Sequence, residues 1–375
     1  MKFSNIISSC LFVSAIFIAS GILADETVKV GVILPITGAT ATFGQENANG
    51  IKMALEKINT KYKFKIETII EDDKAESLEA INAIRKLINI NKVTALVGEV
   101  TSSNTLAMAP IAQAAKIPLI TPAATNVKVT QVGNFISRAC FTDDFQGVVM
   151  AKFAVNTLKK KNGLILIDNS SDYSKGLAKS FKEEFLKIGG KLVTTEDLTY
   201  VQKDIDFQSI LRKVKRANPE VIFLPGYYGE AALIIKQARM LGIEAIFLGG
   251  DGWDSPKLFE IGGDAVKGNY LSSHFAPDDK DPIVKAFVDE YEQKFGAKPG
   301  AMAALGYDTI SLLADAISRA KSMSPEDINT AILETKDFVG ITGSITIDAE
   351  RNSKKAAVVL ETTTKSFIFK DKVNP

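Results

Sequence analysis

The sequence predicts an α/β fold of two doubly wound parallel-sheet lobes joined by three crossover strands. Three observations predict it. Short apolar, β-branched runs recur at residues 28–34, 64–70, 93–97, 117–120, 164–167, 221–224 and 245–248, which is how strands buried on both faces read. Segments of helical periodicity separate them, so the chain is a string of βαβ units whose right-handed crossovers place helices on both faces of an open sheet. The chain has 375 residues, and at ~100 to 200 residues per domain two domains are expected.

Taken in order, the first segment reads as an address rather than fold. Lys2 is the only charge before Asp25, and residues 6–23 hold 13 apolar residues among 18. That is a secretion signal over residues 1–24, cleaved near Ala24; an uncleaved anchor is the alternative, since the stretch approaches the ~20 residues needed to span a bilayer. Its removal takes Cys10 with it, leaving Cys140 without an intrachain disulfide partner.

In the first lobe, Leu78, Ile81, Ile84 and Ile88 are expected on one face of a helix that begins at Ser77. An extended segment at 134–142 leads into a helix after Asp143 and is the first crossing. In the second lobe, Phe207, Ile210, Leu211 and Val214 share a helix face before the stop Asn218-Pro219. Residues 269–275 form the second crossing, ended by Pro277-Asp278-Asp279, and a helical stretch to Leu333 returns to the first lobe. Strand patterns at 345–347, 356–359 and 367–369 put a third crossing near Asp348. The lobes are thus expected at 25–142 with 275–347, and at 143–274 with 348–375. Three connecting strands make a hinge.

Composition excludes several functions. Hydrophobic residues at 46% and charged residues at 24% describe a globular chain. Basic and acidic residues number 45 and 44, without a basic stripe, so nucleic acid is not an expected partner. One histidine, His274, and two cysteines cannot supply a multi-His or Cys₄ zinc site, and no metal or cofactor is expected.

Open α/β sheets bind ligands beyond the carboxyl ends of their strands. After 93–97 comes Gly98-Glu99-Val100-Thr101-Ser102-Ser103-Asn104, where hydroxyls meet the free N–H groups of a helix start, a seat for an anion that needs no cationic side chain. Ser102 or Ser103 as a simple helix cap is the plain alternative. Thr121-Pro122-Ala123-Ala124-Thr125-Asn126 adds donors at the next strand end. In the second lobe the loops Asn169-Ser170-Ser171-Asp172-Tyr173 and Pro225-Gly226-Tyr227-Tyr228 both carry tyrosine, and Gly249-Gly250-Asp251-Gly252-Trp253 carries a carboxylate. One negative group opposite an anion seat fits an α-amino acid zwitterion, its ammonium on Asp251 and its carboxylate on Ser102 and Thr125. Glu99 either points a charge into the pocket or is solvated.

These loops, together with Gly31-Val32-Ile33-Leu34-Pro35-Ile36-Thr37-Gly38 and Phe43-Gly44, resemble the Leu/Ile/Val-binding proteins of bacterial branched-chain amino acid ABC transporters. The resemblance spans essentially the whole exported chain. It implies a type I periplasmic binding protein fold that closes around its ligand, an exported monomer located in the periplasm, and permease subunits of an ABC importer as partners. Carried over residue by residue, it implies that Ser102, Ala123 and Thr125 hold the carboxylate and part of the ammonium. Tyr173 and Asp251 complete the ammonium site, and Phe43 and Tyr227 line the side-chain pocket, with Asp143 as a further candidate at the crossing. Two positions depart from the family, which commonly has glutamate where Asp251 stands and tyrosine where Phe43 stands.

The function expected is capture of an amino acid with a branched-chain or other apolar side chain by hinge closure, and not catalysis. Nucleophile-elbow, phosphate-loop and dinucleotide fingerprints are absent from the sequence, and His274 falls at the second crossing rather than beside Ser102. An extracellular sensor or chemoreceptor ligand-binding protein for small amides is the alternative, with an Asp-dependent hydrolase behind it.

Overall fold

The structure, a computed structural model, describes residues 26–374. The expected signal segment, 1–24, lies outside the described residues.

The first sheet contains β1 (Glu26–Leu34), β2 (Phe64–Asp72), β3 (Ala95–Gly98), β4 (Leu119–Thr121) and β5 (Ile136–Arg138), all parallel, in the order β2-β1-β3-β4-β5. The second contains β6 (Asn162–Asp168), β7 (Lys191–Leu192), β8 (Leu198–Tyr200), β9 (Val221–Phe223), β10 (Ile246–Gly249) and β11 (Tyr270–Ser273). A small antiparallel sheet follows, made of β12 (Phe338–Gly340), β13 (Gly343–Ile347) and β14 (Ser353–Lys354). The last strands, β15 (Ala357–Thr362) and β16 (Phe367–Val373), run antiparallel along the edge of the second sheet, whose order is β16-β15-β11-β10-β9-β6-β7 with β8 also on β6. The second sheet is therefore mixed, and only its β6 to β11 portion is the parallel array the sequence predicts.

The helices are α1 (Ala41–Lys61), α2 (Ser77–Asn89), α3 (Ser102–Ala115), α4 (Lys128–Gln131), α5 (Asp143–Lys152), α6 (Asp172–Lys187), α7 (Gln208–Ala217), α8 (Tyr228–Met240), α9 (Lys257–Gly262), α10 (Pro282–Phe295), α11 (Ala301–Arg319) and α12 (Pro325–Leu333). They explain why β1 is apolar on both faces. Val28, Val30 and Val32 pack into the cluster that holds Ile51 and Ala54 of α1 and Leu305 of α11, whereas Ile33 joins Ile84 and Leu87 of α2 and Met108 of α3. One expected helix face is corrected. On α2 the buried residues are Ala80, Ala83, Ile84 and Leu87, and Leu78 is 67% exposed. The i, i+3, i+4, i+7 spacing is kept but rotated, because two small alanines let the helix lie close to the sheet while Leu78, Ile81 and Ile88 mimic a second stripe through Ile84. On α7, Leu211 and Val214 are buried as expected, and Asn218 ends the helix in a left-handed conformation.

The chain leaves the first sheet after β5 and the second after β11, and rejoins the second by way of β13 and β14. The first and third passages lie side by side: the Arg138 amide donates to the Arg351 carbonyl at 3.2 Å, and the Ser353 hydroxyl donates to the Arg138 carbonyl at 2.8 Å. The second adjoins the third through the β11/β15 pairing.

Candidate functional site

A parallel sheet ordered 2-1-3-4-5 leaves a crevice where the chain reverses direction, between its first and third strands. Both sheets present one: between β1 and β3 in the first, between β6 and β9 in the second. The two crevices face each other. Between them lies a narrow, partly open cavity of about 10 Å³, far below the ~300 to 1,000 Å³ of pockets for drug-sized ligands. Its wall contains Phe43, Ser102, Ala123 and Thr125 from the first lobe and Tyr173, Tyr227 and Asp251 from the second, so all seven residues singled out from the sequence meet there. Larger depressions lie at the hinge and along the outer surface, but this small one gathers the strand-end loops of both sheets.

On the first rim, Ser102 opens α3. The helix cap is Thr101, without a side-chain capping bond, so neither Ser102 nor Ser103 serves as the cap. The Ser102 hydroxyl accepts from the Asn126 amide at 3.2 Å, tying the α3 start to the loop after β4. Beneath that loop lies Arg138, fully buried, whose guanidinium donates to the Ala124 and Asn126 carbonyls at 2.6 and 2.7 Å. With those carbonyls engaged below, the loop is held rigid under Ala123 and Thr125. The rim offers hydroxyls and a helix N-terminus, with the cation one layer behind.

Glu99 fits neither expectation. It is completely buried, outside the cavity wall, and accepts from the Thr101 amide and hydroxyl, both at 2.5 Å. Burial, reinforced by the neighbouring Asp73 carboxyl, raises its pKa well above the ordinary value. Asp73, also buried, is raised to about 6, mainly by burial.

On the second rim, Tyr173 stands in the first turn of α6 and its hydroxyl accepts from the Gly252 amide at 3.1 Å. Only glycine fits at 252, where a Cβ would come within 2.6 Å of the Gly226 carbonyl oxygen. The Tyr173 and Tyr227 rings stack at 5.3 Å, and Phe43 meets Tyr227 edge-on at 6.1 Å across the gap. Asp251 begins a short 3₁₀ turn after β10 and is 3% exposed. Its Oδ1 accepts from Gln146 Nε2 and its Oδ2 lies beside His274 Nε2, each at 3.0 Å. Trp253 is core, its indole N–H donating to the Leu224 carbonyl at 3.1 Å.

Asp143 stands behind the wall rather than in it. Gln146 Nε2 also donates to its Oδ1 at 3.0 Å. Burial first, and then the charge of Asp251, pushes its pKa up to about 8. Four further contributors escaped the sequence reading. Met302, in the first turn of α11, and Val100 add apolar wall, and Gln146 and His274 reach Asp251 from the crossings. The spacing Asp143-x-x-Gln146, which places both residues on one face of α5, is the signal that could have found Gln146.

The rims are latched across the gap. Ser103 Oγ donates to Asp172 Oδ2 at 3.1 Å and accepts from the Asp172 amide at 2.9 Å, Asn126 Nδ2 donates to the Asp172 carbonyl at 2.7 Å, and the Tyr228 hydroxyl donates to the Ala39 carbonyl at 3.0 Å. This arrangement can enclose a small dipolar molecule with an apolar tail, its negative end toward Ser102 and Thr125 and its positive end toward Asp251.

Comparison with known proteins agrees with this geometry. The model of a family described as periplasmic binding protein matches residues 27–361. The leucine-binding protein LivK of Thermotoga maritima has 41% identity and a TM-score of 0.89, over 93% of this chain and 99% of that one. LivJ of Streptococcus pneumoniae, a branched-chain amino acid transporter substrate-binding protein solved with isoleucine, has 33% identity and a TM-score of 0.87, over 93% and 100%. A leucine-, isoleucine-, valine-, threonine- and alanine-binding protein of Pseudomonas aeruginosa is 30% identical over 90% of each chain.

Proposed function

Since the chain belongs to the periplasmic binding protein family, we propose that it captures an α-amino acid with an apolar, branched side chain between its lobes and delivers it to the permease subunits of an ABC importer. The observation that carries this reading is the polarity of the cavity, with Ser102, Thr125 and the α3 N-terminus on one rim and Asp251 on the other. The carboxylate is seated by uncharged donors and helix N–H groups. The ammonium lies against Asp251 and the Tyr173 hydroxyl. Phe43, Tyr227, Val100 and Met302 surround the side chain. The relatives named above bind leucine, isoleucine or a set of small amino acids by their own descriptions, which supports the same ligand class here.

The working motion is a hinge between residues 25–142 with 275–347 and residues 143–274 with 348–375, a division supported by which strands share a sheet. Ligand settles on the first rim and shifts the equilibrium toward the closed form, because only there do Asp251 and the tyrosines reach it. The protein acts as a binder in the periplasm, not as an enzyme. Among the described residues no helix is long and apolar enough to cross a membrane.

A thermal-shift screen of the twenty amino acids, with amides and urea as controls, tests the reading. Leucine, isoleucine or valine giving the largest stabilisation is the expected result. Stabilisation by amides alone would move the protein to the sensor class.

A further inference from the structure

The carboxylate opposite the anion seat is one methylene shorter than the glutamate common in the family it resembles, and it is gripped from behind. Gln146, on α5 just past the first passage between lobes, donates to Oδ1, and its own orientation is fixed because Oε1 accepts from the Ser272 hydroxyl at 2.9 Å and from the Asp251 amide at 3.3 Å. His274, immediately after β11 on the second passage, sits 3.0 Å from Oδ2. Its ring is clamped against Phe141, centroids 3.6 Å apart at 22°.

The imidazole is fully buried, and its Nδ1 has no hydrogen-bond partner among the described residues. A residue that only filled space beside Phe141 would be served as well by phenylalanine, without an unpaired ring nitrogen. The one polar contact it makes is with Asp251. A lone pair aimed at a carboxylate oxygen at that distance repels, so Nε2 carries the hydrogen. Burial lowers the His274 pKa, which keeps the ring a neutral donor rather than a cation that would compete with an incoming ammonium. A carboxylate has about four acceptor positions, so Gln146 and His274 leave acceptor capacity that the Tyr173 hydroxyl and the ligand share.

We propose that His274 is a positioning residue for amino acid recognition: from the hinge it fixes the orientation of the Asp251 carboxylate through a neutral Nε2–H donor, so that the carboxylate presents its free lone pairs to the ligand ammonium. The role rests on the reading that Asp251 receives the ammonium.

His274 is the only histidine in the chain, so ¹⁵N-histidine labelling of the protein without a polyhistidine tag gives one pair of ring nitrogens. At neutral pH, without ligand, Nε2 is expected protonated and Nδ1 bare. The reverse tautomer overturns the proposal whether or not the ligand reading stands. Leucine affinity is then measured by calorimetry, with the apo melting temperature of each variant. His274→Phe, which keeps the stack and loses the donor, is expected to weaken binding by about tenfold or more, and His274→Gln, which keeps a donor, by about threefold at most. In an Asp251→Asn background the His274→Phe change is expected to cost less than about twofold, as for two residues acting through one contact. His274→Phe within twofold of the parent, or an effect undiminished in the Asp251→Asn background, refutes the positioning role. Wild-type protein that binds no amino acid refutes the ligand reading instead, and the tautomer then decides the contact alone.

Discussion

In the first lobe the loops after β1, β3 and β4 reach the cavity; in the second, those after β6, β9 and β10 do, from the same relative places in a strand order of the same kind. The topology is repeated, but the chemistry is not. The first rim recognises charge with none of its own, through Ser102, Thr125 and a helix start, stiffened from beneath by Arg138. The second supplies an explicit carboxylate and a pair of stacked tyrosines, held by residues of the hinge. A repeated fold thus yields a polar seat when one copy places donors, and the other an acceptor, at equivalent strand ends.

Four experiments break or sharpen this contrast. The largest effect is expected at the second rim: Asp251→Ala removes the partner of a desolvated ammonium and should cost ~2 to 5 kcal/mol of leucine binding by calorimetry. A value within twofold of wild type would place the ammonium elsewhere. Next comes the support of the first rim. Arg138→Met leaves two buried carbonyls unpaired and should cost about 3 kcal/mol of stability in denaturant titration, together with a loss of affinity as the seat loop relaxes. Ser102→Ala should weaken binding by ~1 to 3 kcal/mol while leaving the melting temperature of the ligand-free protein nearly unchanged. An equal loss of stability would make Ser102 a structural residue.

The last experiment reads pH rather than ligand and concerns the carboxyl shared between site and hinge. Asp143 is held at about 8 in the folded chain against an ordinary 3.8, so between those values the folded state keeps a proton that the unfolded state has lost. Its contribution is complete below the unfolded value and disappears as pH rises through about 8. Chemical denaturation at about pH 5 and about pH 8 should therefore show a smaller loss of stability on alkalinisation for Asp143→Asn than for wild type.

The strands that carry the rims were legible because a parallel strand buried on both faces must be apolar throughout, and the polar residues that follow it stand out. That signal marked Ser102, Thr125, Tyr173, Tyr227 and Asp251. Phe43 came with the resemblance, since nothing in α1 distinguishes it from core. Gln146 and His274 were illegible for a different reason: their partner is more than 20 residues away, and only the meeting of three passages brings them to it. The short strands β7 and β8 are too brief for any periodicity. The buried face of α2 was misread because side-chain size, not hydrophobicity alone, decides which stripe approaches the sheet. Glu99 was judged by residue type, whereas its amide and hydroxyl partners two residues on allow a carboxyl group to be interred.

Arg138 belongs to two pieces of machinery at once: its side chain braces the seat, and its backbone joins the first connecting segment to the third. Retuning such a receptor for a new metabolite, or turning it into a fluorescent reporter, is therefore safest at Phe43 or Met302, where the guest's flank can be recut while the pivot stays intact.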